Sequence, residues 1–145
     1  MVEFSLIQET EDEIVDEFSM FDNWEDKYEY IIDLGKKLQP LDPKYKVEEN
    51  KIKGCQSQVW LIADEQDGRI YFKADSDAII VRGLVNMLIR VLSGHTPDEI
   101  INAKLEFINK IGMTSHLAQT RSNGLLSMVK QMKHYALAYK AKAQL

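Results

Sequence analysis

Hydrophobic positions in the first forty residues recur with helical spacing. The segment Thr10–Glu13 has the pattern of a capping box, in which the first side chain accepts a backbone hydrogen bond and the last reaches back, so a helix is predicted to begin there. Residues 1–9 are then predicted to form a loose N-terminal end. A second helix is predicted to begin after Asp22 or Asn23 and to end before Pro40, since proline is poorly tolerated inside a helix.

The spacing changes from helical to extended in the middle of the chain. Residues 57–63 and 69–74 flank the dipeptide Asp67–Gly68, which suits the positive φ angles of a tight hairpin turn. The second segment alternates apolar and polar residues, which predicts a strand with one face in water. The first is apolar at almost every position from Val59 to Ala63, a pattern that favours a central strand.

Helical spacing returns after the polar cluster Asp75–Asp77, which is predicted to cap a helix over residues 78–92. Gly94 fits the position that follows such a helix, and Thr96–Glu99 is a second helix start with a capping threonine and a proline in the first turn. Ser122 is predicted to cap the last long helix. This order of elements predicts an α+β fold, in which a small antiparallel sheet is covered by helices.

Size and charge narrow the classes of protein to consider. The chain has 145 residues and is predicted to form a single domain over residues 1–145. Its 23 acidic and 18 basic residues give a net charge of −5, which argues against nucleic acid as a partner. No apolar run reaches the roughly 18 residues of a membrane span, and the acidic N-terminus does not resemble a secretory signal. A soluble protein of the cytoplasm, without a membrane partner, is expected.

Cys55 is the only cysteine, which rules out an internal disulfide and a zinc site built from several cysteines. No group of His, Cys, Asp and Glu residues has the spacing of zinc ligands either, so no bound metal is predicted. Gly54 gives the preceding backbone unusual freedom, and Lys51 and Lys53 could stabilise a thiolate, which is the reactive form of the side chain. The polar residues Gln56, Ser57 and Gln58 that follow Cys55 are poor core residues. The two interpretations are a buried, inert thiol and a nucleophilic or carrier thiol.

Two further side chains are candidates for a site. Of the three histidines, His116 is the one in a segment without a clear helical pattern, so it is kept as a weak candidate for the base of a Cys–His pair. Arg121 lies where the last helix is predicted to start, an unfavourable position for a cation. It is interpreted either as an exposed side chain or as a charge directed at a partner.

Three blocks of sequence resemble one known family. Residues 54–60, which read Gly-Cys-Gln-Ser-Gln-Val-Trp and precede a hairpin, are similar to the signature of the SufE/CsdE family of sulfur acceptors for cysteine desulfurases. Residues 75–84 resemble the second block of that family, and residues 116–125 resemble the third. The blocks occur in the family's order, and the general architecture extends the likeness to almost the whole chain.

The resemblance implies a fold and a function. The fold would be an α+β sandwich similar to SufE and to the IscU-type scaffold. Cys55 would accept sulfur from the persulfide of a PLP-dependent cysteine desulfurase of the SufS or CsdA type, stimulate that enzyme, and pass the sulfur to an iron–sulfur scaffold protein. PLP would belong to the desulfurase, and this chain would be an accessory protein rather than an enzyme.

The resemblance also assigns roles to individual residues and leaves alternatives open. Gly54, Gln56, Ser57 and Gln58 would shape the loop of Cys55. Four polar residues would hold this loop or meet the partner, namely Asp75, Asp77, Arg82 and Arg121. The alternatives are a Cys-dependent hydrolase or transferase that uses His116 as its base, and a binding adaptor in which Cys55 is incidental. The carrier interpretation predicts a thiol that is partly or wholly sheltered at rest.

Overall fold

Helices precede and follow a single hairpin in this protein. The computed structural model describes residues 2–55, 57–113 and 119–143, with 2–6 and 119–123 described by their backbone alone. Among the described helices, none is long and apolar enough to cross a membrane. The helices are α1 (Val2–Ser19), α2 (Trp24–Lys37), α3 (Ile79–Leu92), α4 (Pro97–Asn102), α5 (Phe107–Lys110) and α6 (Gln119–Ala143), and the strands are β1 (Val59–Gln66) and β2 (Arg69–Ser76).

The N-terminal helix begins earlier than the sequence predicts. Helix α1 starts at Val2, so the predicted loose end over residues 1–9 is wrong, and Thr10–Glu13 lies inside the helix rather than at its start. Ile7 and Glu11 are both buried. The carboxylate of Glu11 also accepts a hydrogen bond from the first backbone N–H of α5 at 3.3 Å. Tertiary packing therefore outweighs the local start signal, as it does for most helices in proteins.

The hairpin forms as predicted. Strands β1 and β2 pair antiparallel from Val59 opposite Ser76 to Gln66 opposite Arg69. The two turn residues have the positive φ angles that such a short connection requires, 53° at Asp67 and 81° at Gly68. This pairing places residues 57–59 beside residues 75–77. It thereby positions the segment that directly follows Cys55.

β1 is not the central strand that its apolar run predicts. In the described residues the sheet has two strands. The outer edge of β1 carries an isolated bridge between Lys51 and Trp60 near its start, and further along the hydroxyl of Tyr139 donates to the carbonyl of Ala63 at 3.1 Å. Next to the bridge, the N–H of Ile52 donates to the carbonyl of Val59 at 2.8 Å. Burial follows this cover, because residues 59–61 are buried and residues 64–66 are exposed.

Several predicted helix ends are confirmed and two are wrong. Gly94 has a φ of 85° after α3, and Thr96 and Glu99 form both hydrogen bonds of a capping box at the start of α4. Asn23 caps α2 through its side chain. The cluster Asp75–Asp77 does not cap α3, because its first two residues belong to β2 and the cap position is Ala78. Ser122 lies within α6 and not at its start.

The polar side chains of α3, Arg82, Asn86 and Arg90, are spaced by four residues and bind other elements of the fold. The side-chain amide of Asn86 donates to the carbonyl of Leu34 at 2.7 Å, which satisfies a free carbonyl in the last turn of α2. Arg90 forms an ion pair with Glu17 of α1 at 2.7 Å. Three polar side chains spaced by four residues therefore fix α3 against the two preceding helices, while the opposite side of α3 enters the apolar core.

Helices α2 and α3 approach closely at two glycines. A methyl group added to Gly83 would overlap the backbone carbonyl of Ile31, and one added to Gly35 would overlap the carbonyl of Ile79. Backbone atoms cannot move aside as a flexible side chain can. The close spacing of α2 and α3 therefore requires glycine, which has no side chain, at both positions.

We expect Gly83→Ala to lower the free energy of unfolding by about 2 kcal/mol, since overpacking of this kind outweighs the higher helix propensity of alanine. Urea denaturation followed by circular dichroism measures the change. Gly124→Ala in α6 is the control, because its added methyl meets only atoms of Cys55, at 3.5 Å or more. Equal stability of the two variants would contradict the proposed role of the α2–α3 contact.

Candidate functional site

Cys55 lies in a loop between the bridge at Lys51 and the start of β1, and this loop rests on α6. Gly54 has a φ of 89°, a conformation that favours glycine. A side chain at Gly54 would also place its Cβ 2.9 Å from the Oγ of Ser127. Both facts explain why glycine precedes the cysteine, since the backbone turns sharply there while it lies against a helix.

The thiol of Cys55 is half-buried against α6. Its Sγ donates to the carbonyl oxygen of Gly124 over 3.7 Å, a weak thiol hydrogen bond. Gly124 has no side chain, and a methyl group there would lie 3.5 Å from Sγ. The prediction of a partly sheltered thiol is confirmed, because Cys55 is neither fully enclosed nor freely exposed.

The environment of Cys55 favours the protonated thiol. Burial raises the pKa of Cys55 above its usual range, because a charged thiolate loses water there. Lys51, one of the two lysines expected to stabilise a thiolate, forms an ion pair with Glu48 at 3.4 Å. Burial is the cause of the shift, and no charge from Lys51 or Lys53 offsets it, so the expectation of a lysine-stabilised thiolate is wrong for this arrangement. The resting side chain is an uncharged thiol at neutral pH.

The far end of the loop is fastened to the end of β2. The backbone N–H of Gln58 donates to Asp77 Oδ1 at 3.0 Å, and its side-chain amide donates to Oδ2 at 3.3 Å. The Oγ of Ser76 donates to the carbonyl of Gln58 at 2.7 Å. Asp77 thus holds the loop, one of the two roles that the resemblance gives it. Ser57, between this anchor and the cysteine, is partly buried.

Asp75 is a buried carboxylate, with only 1% of its surface exposed. It accepts hydrogen bonds from the N–H groups of Leu41 at 3.1 Å and Ser76 at 2.8 Å, and it pairs with Lys46 at 3.2 Å and with Arg82. Burial by itself would raise the pKa of Asp75, but these hydrogen bonds and charges together lower it below the usual range. The carboxylate is therefore ionised and fully partnered.

Arg82 faces the interior of the fold. Besides its ion pair with Asp75, it donates from Nε to the carbonyl of Gly35 at 3.1 Å and from Nη2 to the carbonyl of Leu38 at 2.8 Å. Both carbonyls lie at the end of α2, and that of Gly35 also accepts from the N–H of Leu38 at 3.3 Å. Arg82 therefore joins α2, α3 and β2, and its described contacts are internal rather than directed towards a partner.

Three predicted site residues fall outside the described contacts. Gln56 and His116 lie outside the described residues, and the side chain of Arg121, in the first turns of α6, is not among those described. Within the described part of the chain, Cys55 Sγ has one polar contact, to Gly124, so neither of the other two histidines pairs with it. The described residues also contain no cluster of three metal-ligating side chains.

The sequence alone did not identify the groups that contact the cysteine loop or those that surround the carboxylate of Asp75. Gly124 and Ser127 support the loop, and Lys46 and the N–H of Leu41 complete the surroundings of Asp75. An isolated glycine in a helical pattern signals close approach of another backbone, so Gly124 could have been found. No comparable signal marks Lys46 or Leu41, because their role depends on the path of the loop after α2.

We expect the pH midpoint of Cys55 alkylation by iodoacetamide to lie above the value of about 8.5 for an ordinary thiol. The raised pKa of Cys55 is the reason, since only the thiolate reacts. Rates measured by mass spectrometry from pH 7 to 10 give the midpoint, and the same protein in urea is the control. A native midpoint at or below that of the unfolded chain would contradict the assignment.

We expect Asp75→Asn to lower the free energy of unfolding at pH 7 by about 3 kcal/mol, because Arg82 loses the charge of its buried partner. The pKa of Asp75 is lower in the folded protein, so its stabilising effect is present above about pH 4 and is lost as the pH falls through the folded value. Urea denaturation between pH 7 and pH 3 should show the gap between variant and wild type closing. Asp33→Asn, an exposed position on α2, should change little, and a gap independent of pH would refute the argument.

Known proteins are similar in sequence to most of this chain. The family model of SufE, described as an Fe-S metabolism associated domain, matches residues 12–136. An uncharacterized SufE-like protein of Rhizobium meliloti (strain 1021) is 42% identical over 130 residues, which cover 86% of this chain and 93% of that protein. SufE-like protein 1, chloroplastic/mitochondrial, of Arabidopsis thaliana is 38% identical over 133 residues, covering 91% of this chain and 36% of that protein.

The fold has a solved counterpart. The solution structure of a hypothetical protein from Thermus thermophilus superposes with a TM-score of 0.73 over 89% of this chain and 94% of that chain, at 17% sequence identity. This likeness confirms the predicted α+β, SufE-like fold, and the family match confirms the resemblance seen in the three sequence blocks. The chain belongs to the SufE family, whose domain is associated with Fe–S metabolism.

Proposed function

We propose that this protein is a sulfur acceptor that takes persulfide sulfur from a PLP-dependent cysteine desulfurase onto Cys55. In this proposal it stimulates the desulfurase by unloading it and passes the sulfur to an iron–sulfur scaffold protein. One observation carries the proposal: the single thiol of a SufE-family chain lies half-sheltered on a loop that begins at a positive-φ glycine.

The transfer is an exchange between sulfur atoms. The thiolate of Cys55 attacks the outer sulfur of the donor persulfide, a new S–S bond forms at Cys55, and the donor cysteine leaves as a thiolate. The proton that Cys55 loses balances the one that the donor thiolate takes up, and the oxidation state of the transferred sulfur does not change. No bound metal or cofactor is needed on this chain, since PLP belongs to the desulfurase.

The contacts of the loop support a movement of Cys55 towards the donor. At one end Gln58 is fastened by Asp77, whereas the thiol itself has a single weak hydrogen bond to α6. Releasing the thiol from Gly124 would cost about 1–2 kcal/mol, from one weak hydrogen bond and partial burial. Outside the sheltered position the pKa of Cys55 would fall towards its ordinary value, so release would also activate the nucleophile.

The two alternatives have less support. A Cys-dependent hydrolase or transferase needs a base within hydrogen-bond reach of Cys55. Neither His95 nor His134 is bonded to the thiol in the described part of the chain, and His116 lies outside it. An adaptor with an incidental cysteine would not require a sharp glycine turn that seats the thiol on a helix. We also propose that the protein acts in the cytoplasm, as an accessory protein that catalyses no reaction of its own.

We expect the mass of the protein to rise by about 32 Da, one sulfur atom, after incubation with a cysteine desulfurase and L-cysteine. Intact-protein mass spectrometry without reductant measures the gain, and treatment with dithiothreitol should remove it. Cys55→Ser is the control and should gain no mass, while its circular dichroism spectrum stays that of the wild type.

The same pair of proteins tests the accessory role through the rate of alanine release by the desulfurase. Wild type should raise this rate and Cys55→Ser should not. If Cys55→Ser stimulates the desulfurase as well as wild type does, the adaptor interpretation is correct and the transfer chemistry assigned to Cys55 is wrong.

A further inference from the structure

A groove of about 470 Å³ runs along α6 beside the cysteine loop. One wall is the segment of residues 49–53 that leads to Cys55, and the other is the outer side of α6 from Ser127 to Tyr135. Its lining is mainly polar and basic, and it consists of Glu49, Asn50, Lys51, Ile52, Lys53, Ser127, Lys130, Gln131, His134 and Tyr135.

The groove ends next to Cys55. Ser127, which lines it, is the residue against which Gly54 turns, and Gly124, which contacts the thiol, lies one helical turn earlier on the same helix. One turn of helix corresponds to a rise of about 5 Å. A molecule seated in the groove therefore has its end within reach of the sulfur.

The charge of the groove is opposite to that of the whole protein. The chain has a net charge of −5, whereas three lysines and one glutamate line the groove. Lys51 is paired with Glu48. Among the described residues, Lys53 and Lys130 form no ion pair, and both are exposed. Lys130 lies about one helical turn after Ser127, and Lys53 directly precedes Gly54, which turns against Ser127. Two cations therefore lie towards the end of the groove nearest Cys55.

The length of the groove fits a short extended peptide. From Ser127 to Tyr135 the helix rises about 12 Å, which matches three to four residues of an extended chain. Ile52 and Tyr135 supply apolar contact, and Asn50 and Gln131 supply polar contact beside the two lysines. Acidic side chains on such a peptide would complement Lys53 and Lys130.

We propose that this groove binds a short acidic segment of the sulfur-donating protein and so aligns the donor persulfide with Cys55. This inference rests on the proposed function, and it adds the surface and the chemistry by which the donor is recognised. Because charge complementarity acts mainly on encounter, the groove should raise the rate of productive docking more than the rate of sulfur exchange itself.

The test is the double variant Lys53→Glu/Lys130→Glu, loaded by a cysteine desulfurase and L-cysteine at low ionic strength. We expect the initial rate of Cys55 persulfide formation, at subsaturating protein, to fall about 10-fold, with the difference shrinking near 0.5 M salt as charges are screened. Lys36→Glu/Lys104→Glu, at two exposed positions outside the groove, is the control with the same change in net charge. Equal rates for the two double variants would overturn the proposal.

Two measurements distinguish a groove that does not bind the donor from a protein that does not accept sulfur from the desulfurase. Near 0.5 M salt, where the charges around Cys55 are screened, inorganic polysulfide should load Cys55 of the groove variant as fast as wild type, since this small donor needs no docking. If the desulfurase does not load wild type at all, the proposed function fails, and a hexaglutamate peptide then decides the groove alone. NMR shifts of amides in residues 51–53 and 127–135 on peptide addition support it, and shifts elsewhere, or none, refute it.

Discussion

The buried carboxylate of Asp75 is the interaction on which the arrangement of the site depends. It is ionised, with its burial offset by two backbone N–H groups, a lysine and an arginine. These partners come from the loop after α2, from the end of β2 and from α3. Because removing any one of them leaves a buried charge less well compensated, the group fixes three parts of the chain at once. The end of β2 is thereby held where Asp77 can bind the cysteine loop.

The cysteine loop is held firmly at its two ends and weakly between them. Downstream, Gln58 is bound through its backbone and its side chain. Upstream, the N–H of Ile52 donates to the carbonyl of Val59 at 2.8 Å. Between these anchors, the described contact of the thiol is one weak hydrogen bond to Gly124. A loop fastened at both ends and weakly held at its centre can expose its thiol without disturbing the hairpin. The polar residues that follow Cys55 are unsuited to a buried core, which is consistent with a loop that can move.

The sequence predicts turns and helix ends well where neighbouring residues determine them. It predicts them poorly where contacts with distant parts of the chain determine them. The Asp67–Gly68 turn, the Thr96–Glu99 capping box and Gly94 were predictable, since each depends on a few neighbouring residues. The start of α1 was not, because Ile7 and Glu11 are ordered by packing and by a bond to α5. The local pattern predicts Asp75 as part of a helix cap, and this is wrong because three of its partners, Leu41, Lys46 and Arg82, lie 7 to 34 residues away. The sequence singles out Cys55 and Gly54, but it does not predict that they pack against the last helix.

The chemistry of Cys55 and the charge of the groove complement each other. Burial keeps the thiol protonated at rest, so the isolated protein offers little thiolate to oxidants or adventitious electrophiles. A carrier with this property needs its partner to draw the thiol out, and that requires docking close to the loop. In the proposed docking, a basic groove one helical turn from the thiol, on an otherwise acidic protein, would bind the donor where release of Cys55 is useful. Reactivity would then be coupled to recognition, with the thiol becoming nucleophilic when a sulfur donor is in place.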